Sequence, residues 1–491
     1  MSFRAFILSL LSFGSFLSLP AADFPTIYDT EKGAPMSAEE AAATMELPPG
    51  FKCVVFAAEP DVRQPIGMAW DAKGRLWVAE NYTFAENPMR WDTKLRDRLI
   101  ILEDKDGDGK HDGRKVFWEG GSYLTSVETG YGGAWVLHNG TLSFIADKNG
   151  DDAPDGEPEV LLDGFNVKTI GHNIVNGLRW GPDGWLYGCH GVFTHSRVGK
   201  PGTPDEKREP INAGVWRYHP VRHEFEVFAH GTSNPWGCDY DEKGNFFVSA
   251  CVIDHFFHMA PGGIYTRQGG APENPYAYEL LPSIVKHKHF RAAYAGIQIY
   301  QGGRYPADTH GHAFIGNIHD NAIHEEVLTP VGATFKCEPR RDFLRANDGW
   351  FRPVSTQTGP DGFLWIMDWC DKYPCYQNAK ANPEGVDRQY GRIWRVCYGE
   401  TQPKPAEVSQ EITRGGIEFP MFANHRSPSR WSQALDLKKL PTTDLVKTLE
   451  HPNNWMRRMA RRMLIEQHAE GTRDTLLKIA KSDAPASVRL E

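Results

Sequence analysis

The sequence predicts an all-β chain: a six-bladed β-propeller over residues 45–400, followed by a linker at 401–426 and a short α-helical HEAT-like repeat region at 427–491. Three observations predict it. A two-strand unit with an Asp-x-x-Gly turn recurs along the first 400 residues. Its copies return every 45–65 residues or so, the length of a four-stranded blade. Beyond residue 426 the apolar period changes from two to that of a helix.

The clearest copies are Gly67 to Val78, Gly177 to Tyr187, Gly237 to Val248 and Val354 to Trp365, with weaker ones beginning near Gly132 and Gly296. Each alternates apolar and polar residues around a turn whose Gly accepts positive φ, so each reads as a hairpin. Further strands are visible at residues 98–103, 214–218, 262–265 and 391–396. A β-sandwich would not recur so regularly. The Pro-rich stretch from Thr401 to Glu407 reads as the linker. Leu445, Val446 and Leu449, then Trp455, Met456, Met459, Ala460, Met463 and Leu464, carry helical spacing around His451-Pro452-Asn453, the pattern of a helical repeat pair. Such arrays need several repeats, so the chain reads as part of a longer protein, with its helices offering a surface to a protein partner.

Residues 1–22 read as a signal peptide. Arg4 gives the positive start, Phe6 to Leu19 the apolar run, and Pro20, Ala21 and Ala22 the small residues of a cleavage site. The expected location is therefore outside the cytoplasm, periplasmic or on the cell surface. The net charge of −9, with no long basic stripe, argues against nucleic acid as a partner. Eight cysteines allow disulfides in an exported chain, and Cys370 with Cys375 is the best local pair. No Cys-x-x-Cys-His haem motif occurs.

Asp104, Asp106, Asp108 and Asp112, with Gly109 between them, follow the spacing of a calcium loop: alternate carboxylates on a tight turn converge on one point. Lys115 stands where a bidentate Glu would complete a helix-loop-helix site, so the loop resembles the calcium hairpins of integrin α-chain propellers. Asp147, Asn149, Asp151 and Asp155 form a looser copy 43 residues on, in the next blade. Both would hold structural Ca2+.

Propeller topology sorts the remaining polar residues. Loops entering the first strand and leaving the second of each blade share one channel mouth, and the Asp-x-x-Gly turns lie at the other end. The mouth gathers His172, Asn173, Asn176, His190 and His195 from the third blade, Asn234, Trp236, Asp254, His255 and His258 from the fourth, His289, Tyr294, Asn317 and His319 from the fifth, and Arg352, Asp368 and Asp371 from the sixth. Such a ring is where propellers carry function.

Two motifs here, His172-Asn173-x-x-Asn176-Gly177-Leu178 and Gly231-Thr232-Ser233-Asn234-Pro235-Trp236-Gly237, resemble those of the soluble quinoprotein glucose/sorbosone dehydrogenases. Asp368-Trp369, Tyr373 to Asn378 and Gly391 to Val396 resemble a group of exported planctomycete and verrucomicrobial proteins known as membrane-bound dehydrogenases, which join such a propeller to HEAT-like repeats and a C-terminal cytochrome c domain. The resemblance spans roughly residues 45–491. It implies oxidation of a sugar or polyol, with His172 and His190 as candidate catalytic residues. Asn173, Asn176, Asn234, Trp236, His255, His258 and Arg352 become candidate cofactor-binding residues. It also implies pyrroloquinoline quinone as cofactor and a separate electron acceptor such as a cytochrome c. Where that family has Arg-Asn this chain has Ser233-Asn234, without the fixed cation an anionic quinone wants. Two other functions fit the same mouth. One is a non-catalytic carbohydrate- or protein-binding propeller using Tyr82, Tyr131, Trp236 and Trp369; the other is a metal-dependent lactonase or hydrolase using the His and Asp ring as ligands.

Overall fold

A computed structural model describes residues 33–85, 89–169, 173–274, 276–289, 293–373, 385–399 and 435–491. The expected signal peptide and linker, and the candidate base His172, lie outside the described residues, as does Cys375, the partner expected for Cys370. Cys370 itself is a buried free thiol.

The chain forms six blades around one channel. In the first, Pro65–Trp70, Leu76–Glu80, Asp97–Glu103 and Gly113–Gly121 pair in order from the axis outward. The second is built in the same way, from Ser126–Gly130 to Glu159–Leu162, and the fifth from Tyr294–Ile299 to Thr334–Arg345. The third and fourth share an exchange. The strand Ile264–Arg267, which follows the fourth blade, pairs parallel to Glu224–Thr232 of the third and leaves the fourth with three strands. The ring closes in the sixth blade, where the N-terminal strand Phe51–Ala57 pairs antiparallel with the last strand, Arg392–Tyr398.

The Asp-x-x-Gly turns work as the sequence predicts, and the aspartate does more than turn the chain. The Asp71 carboxylate accepts the amides of Lys73 and Arg75 and the Trp77 indole N–H. Asp361 likewise accepts the Phe363 amide and the Trp365 indole. Each carboxylate thus ties its turn to a core aromatic on the following strand. The glycines that open four of the copies, Gly67, Gly177, Gly237 and Gly296, sit inside the innermost strands, whereas Gly132 lies in the turn between Ser126–Gly130 and Gly133–His138. At Gly237 (φ +98°) an added Cβ would lie 3.2 Å from Gly296 Cα, and at Gly296 (φ +70°) 2.8 Å from Ser355 Cα. Neighbouring innermost strands meet backbone to backbone there, and the register shifts at these points.

The C-terminal helices Thr442–Thr448 and Asn454–Glu466 plug the channel end that carries the Asp-x-x-Gly turns. Every blade holds the plug. The Leu437 amide donates to the Ala72 carbonyl, and the Asn454 amide to that of Gln301. Arg462 donates to Thr129 O, Arg461 to Gly181 O, Arg458 to Asp239 and Tyr240 O, and Asn453 to the carbonyls of Gly359 and Pro360. Trp455, Met456 and Met459 join the core built around Trp70, Trp365 and Met367. The helix carries an apolar stripe for that core and a basic stripe for the carbonyls that end the innermost strands. Beneath it remains a cavity of about 70 Å³, with Glu128, Arg179 and Arg458 in its wall. Among the described residues no helix is long and apolar enough to cross a membrane.

Candidate functional site

With one end plugged, the mouth is the other end of the channel. The two motifs from the third and fourth blades meet there. Asn176, at the start of the innermost strand of the third blade, donates its side-chain amide to the carbonyls of Ile174 and Pro235, both at 3.0 Å. Its Oδ1 finds no partner among the described residues. A Cβ at Gly177 would lie 3.3 Å from the Gly237 amide. Asn173 holds the neighbouring loop: its carbonyl accepts the Thr194 hydroxyl and its Oδ1 the Phe193 amide. Trp236 lines a narrow axial cavity of about 40 Å³, room for water only, and Asn234 is buried beside it.

Several predicted residues have other roles. His190 is fully buried, with Nδ1 2.9 Å from the Gly191 carbonyl and Nε2 2.7 Å from the Ser196 hydroxyl. Burial lowers its proton affinity to about 4, so the ring is a neutral pin inside the third blade and not an exposed base. Arg352 spends its guanidinium on Asn321 Oδ1 and on the carbonyls of Phe351 and Lys372, tying together mouth loops of the fifth and sixth blades. His258 is not at the mouth with His255. It lies along the strand Phe256–Met259, paired with Phe247 and so toward the plugged end, against Phe335 and the Thr334 hydroxyl. Ser233 is buried, and its hydroxyl donates to the Cys251 carbonyl.

His255 belongs to a group that the sequence did not announce. Its Nε2 lies 2.6 Å from Glu326 Oε1, and the Nε2 atoms of His289 and His287 lie 2.9 and 3.3 Å from the same oxygen. Burial lowers the proton affinity of His255, while Glu326, which burial alone would raise, is held well below the ordinary carboxylate range by the three imidazoles. His287 and Glu326 were missed. The available signal was His287-Lys288-His289, whose alternation puts two imidazoles on one face of an extended segment.

Of the expected calcium residues, Asp104, Asp106 and Asp108 bring carboxylate oxygens within 4.8 Å of one another. Asp112 turns to the amides of Lys105 and Asp106 instead. In the second loop Asp147 accepts the amides of Gly150, Asp151 and Asp152. Asn149 bonds Asp151, and Asp155 accepts the Lys148 amide.

No curated protein is similar to this chain at a significant level. Among solved structures it is similar to the PQQ-bound form of aldose sugar dehydrogenase from Streptomyces coelicolor, at 15% identity over 72% of this chain and 100% of that one (TM-score 0.47). It is similar to soluble aldose sugar dehydrogenase from Escherichia coli in the apo-form, at 13% identity over 71% and 99% (TM-score 0.43). The holo form of the pyranose dehydrogenase PQQ domain from Coprinopsis cinerea follows at 11% identity over 72% and 97% (TM-score 0.42). One family matches residues 37–400, nearly all of the propeller and most of the chain. The chain belongs to that family, described as Domain of unknown function (DUF7133).

Proposed function

We propose that the chain is an exported enzyme of the dehydrogenase type that converts a sugar or polyol at the channel mouth. The observation that carries the proposal is the meeting of the two motifs, with the Asn176 amide on the Pro235 carbonyl and Gly177 against Gly237. The plug at the opposite end supports it, since substrate then has one way in. In this reading His172, adjacent to Asn173, takes the hydroxyl proton of the substrate while hydride leaves the same carbon for an acceptor. Pyrroloquinoline quinone would supply such an acceptor, but its carboxylates want a fixed cation, and Ser233 turns a hydroxyl into the blade instead. A bound two-electron carrier takes the hydride and gives up its electrons one at a time to a separate partner such as a cytochrome c.

The test is dye-linked oxidation of a panel of aldoses and polyols by the full chain, with and without added quinone and calcium. His172→Ala should lower turnover by roughly two to four orders of magnitude while equilibrium binding of the same sugar survives. No oxidation under any condition, together with sugar binding that Trp236→Ala weakens and His172→Ala does not, would replace the enzyme with a binding module.

A further inference from the structure

The junction of the fourth and fifth blades holds the most concentrated set of ligand atoms among the described residues. His255 leaves the second strand of the fourth blade, His287 and His289 lie on the segment leading into the fifth, and Glu326 stands on that blade's third strand, Ala322–Val331. The four ligand atoms lie within 4.8 Å of one another. Three imidazole nitrogens face one carboxylate oxygen, at 2.6, 2.9 and 3.3 Å. A carboxylate oxygen has two lone-pair directions, so three N–H donors cannot all be accommodated on it. The same four atoms suit an ion among them: nitrogen and oxygen ligands about 2.0–2.1 Å from a metal and at right angles to one another, as in a site with more than four ligands, are roughly 2.9 Å apart.

The surroundings hold each ligand in one orientation. The ring of His289 lies face to face with that of His324, centroids 3.5 Å apart and 6° from parallel. His324 is itself fixed by Asp342 at 2.8 Å and Asn317 at 3.1 Å. His255 stacks on Tyr294 at 4.2 Å. Glu326 offers Oε1 to the group because Oε2 is occupied by the Cys337 thiol at 2.8 Å. The Cys337 backbone also donates to the Ile284 carbonyl, so one residue pins both the glutamate and the segment that carries His287 and His289. Such outer partners are a regular part of built metal sites. His255 and Glu326 are fully buried, whereas His287 and His289 remain 20% and 11% exposed, so the group has one edge toward solvent.

We infer that His255, His287, His289 and Glu326 form a mononuclear site for a divalent first-row transition metal ion, with a coordination position open on the His287–His289 side. Three imidazoles and one carboxylate select this class over calcium or magnesium, which prefer oxygen ligands throughout. The open position takes water or a substrate oxygen. This site stands apart from the dehydrogenase reading, which places its chemistry at His172.

The test uses the full chain. Elemental analysis of the purified protein should find close to one equivalent of zinc, manganese, iron, cobalt, nickel or copper per chain. After stripping, titration with cobalt(II) should give one site with the d–d spectrum of nitrogen and oxygen ligation. His287→Gln/His289→Gln should weaken cobalt binding by more than roughly 100-fold, since loss of even an outer partner is worth about 10–100-fold. If the double variant unfolds, His287→Gln alone, at the exposed edge, answers the same question. Cobalt binding that is absent in the wild type, or undiminished in a folded variant, overturns the site. Both readouts are metal stoichiometry and affinity, so failure to oxidise any sugar leaves this inference intact, and failure to bind metal leaves the dehydrogenase reading intact.

Discussion

The two ends of the channel are made of the same strands, and the C-terminal segment closes one of them. At the plugged end each carbonyl that finishes an innermost strand meets an arginine, an asparagine or a backbone amide from the C-terminal segment, and the turn carboxylates are filled by amides and indoles. Both ends keep buried polar atoms that find no partner among the described residues: Asn176 Oδ1, Gln64 Oε1 and the Thr232 hydroxyl at the mouth, and Asn454 Oδ1 and the Thr358 hydroxyl at the plug. Both also keep carboxylates that burial pushes up, Asp368 and Asp371 to about 6 and about 7 at the mouth and Glu128 to about 6 at the plugged end. A propeller needs only one end for ligands. The other can be spent on stability, and the C-terminal segment shows which end that is.

The largest effect should come from breaking the plug. Arg458 donates to Asp239 at 2.8 Å and lies over the Tyr240 ring at 3.7 Å, with Asp239 fully buried. Arg458→Ala leaves that carboxylate without its cation, and such a loss costs about 3–5 kcal/mol. Denaturant unfolding of the variant should show it. Arg197→Ala, which breaks the exposed pair with Asp205 on the mouth side, should cost less than about 1 kcal/mol. Equal costs would erase the distinction between the ends.

A smaller effect on the plugged side tests calcium. The loop from Asp104 to Asp112 joins the third and fourth strands of the first blade, at the same end as its Asp-x-x-Gly turn. Calcium held by Asp104, Asp106 and Asp108 at 100 times its dissociation constant would add about 2.7 kcal/mol. Chelation should lower the melting temperature of the wild type and leave that of Asp106→Ala unmoved. A wild-type melting curve that ignores chelator removes calcium from this loop.

How far the sequence reveals these features follows from how local each one is. The blades were legible because Asp71, Asp183, Asp241 and Asp361 act within a few residues of themselves, leaving a short motif that repeats. The apolar stripe of the helix at Trp455 was legible too, but its partner was not. Only the closed ring of blades supplies the carbonyls that Arg458, Arg461 and Arg462 meet. The blade-junction group was half legible for the same reason: the sequence places His255 and His289 at the mouth, but not His287 and Glu326. Glu326 sits beside Glu325 in a strand like any other, and its three imidazoles come from segments 37 to 71 residues away.

The smallest predicted effect belongs to the mouth and turns on Asp371. Its carboxylate accepts the amides of Tyr373 and Asp387, yet burial pushes it up to about 7, from an ordinary value of 3.8. The folded state therefore binds the proton more tightly than the unfolded one. The resulting stabilisation is fully present below about pH 4 and is lost as pH rises through 7. His190 works in the opposite sense, because burial lowers it to about 4: its contribution is present above 6.5 and lost only as pH falls below that. The interval from 6.5 to 8 therefore separates the two. Across it the wild type should lose stability with rising pH, with Asp371 contributing at most about 1.4 kcal/mol per pH unit, the value of one proton. Asp371→Asn keeps an acceptor for one amide and removes the proton, so its melting temperature should vary less over the same interval. Parallel slopes for wild type and variant would mean that Asp371 does not titrate there.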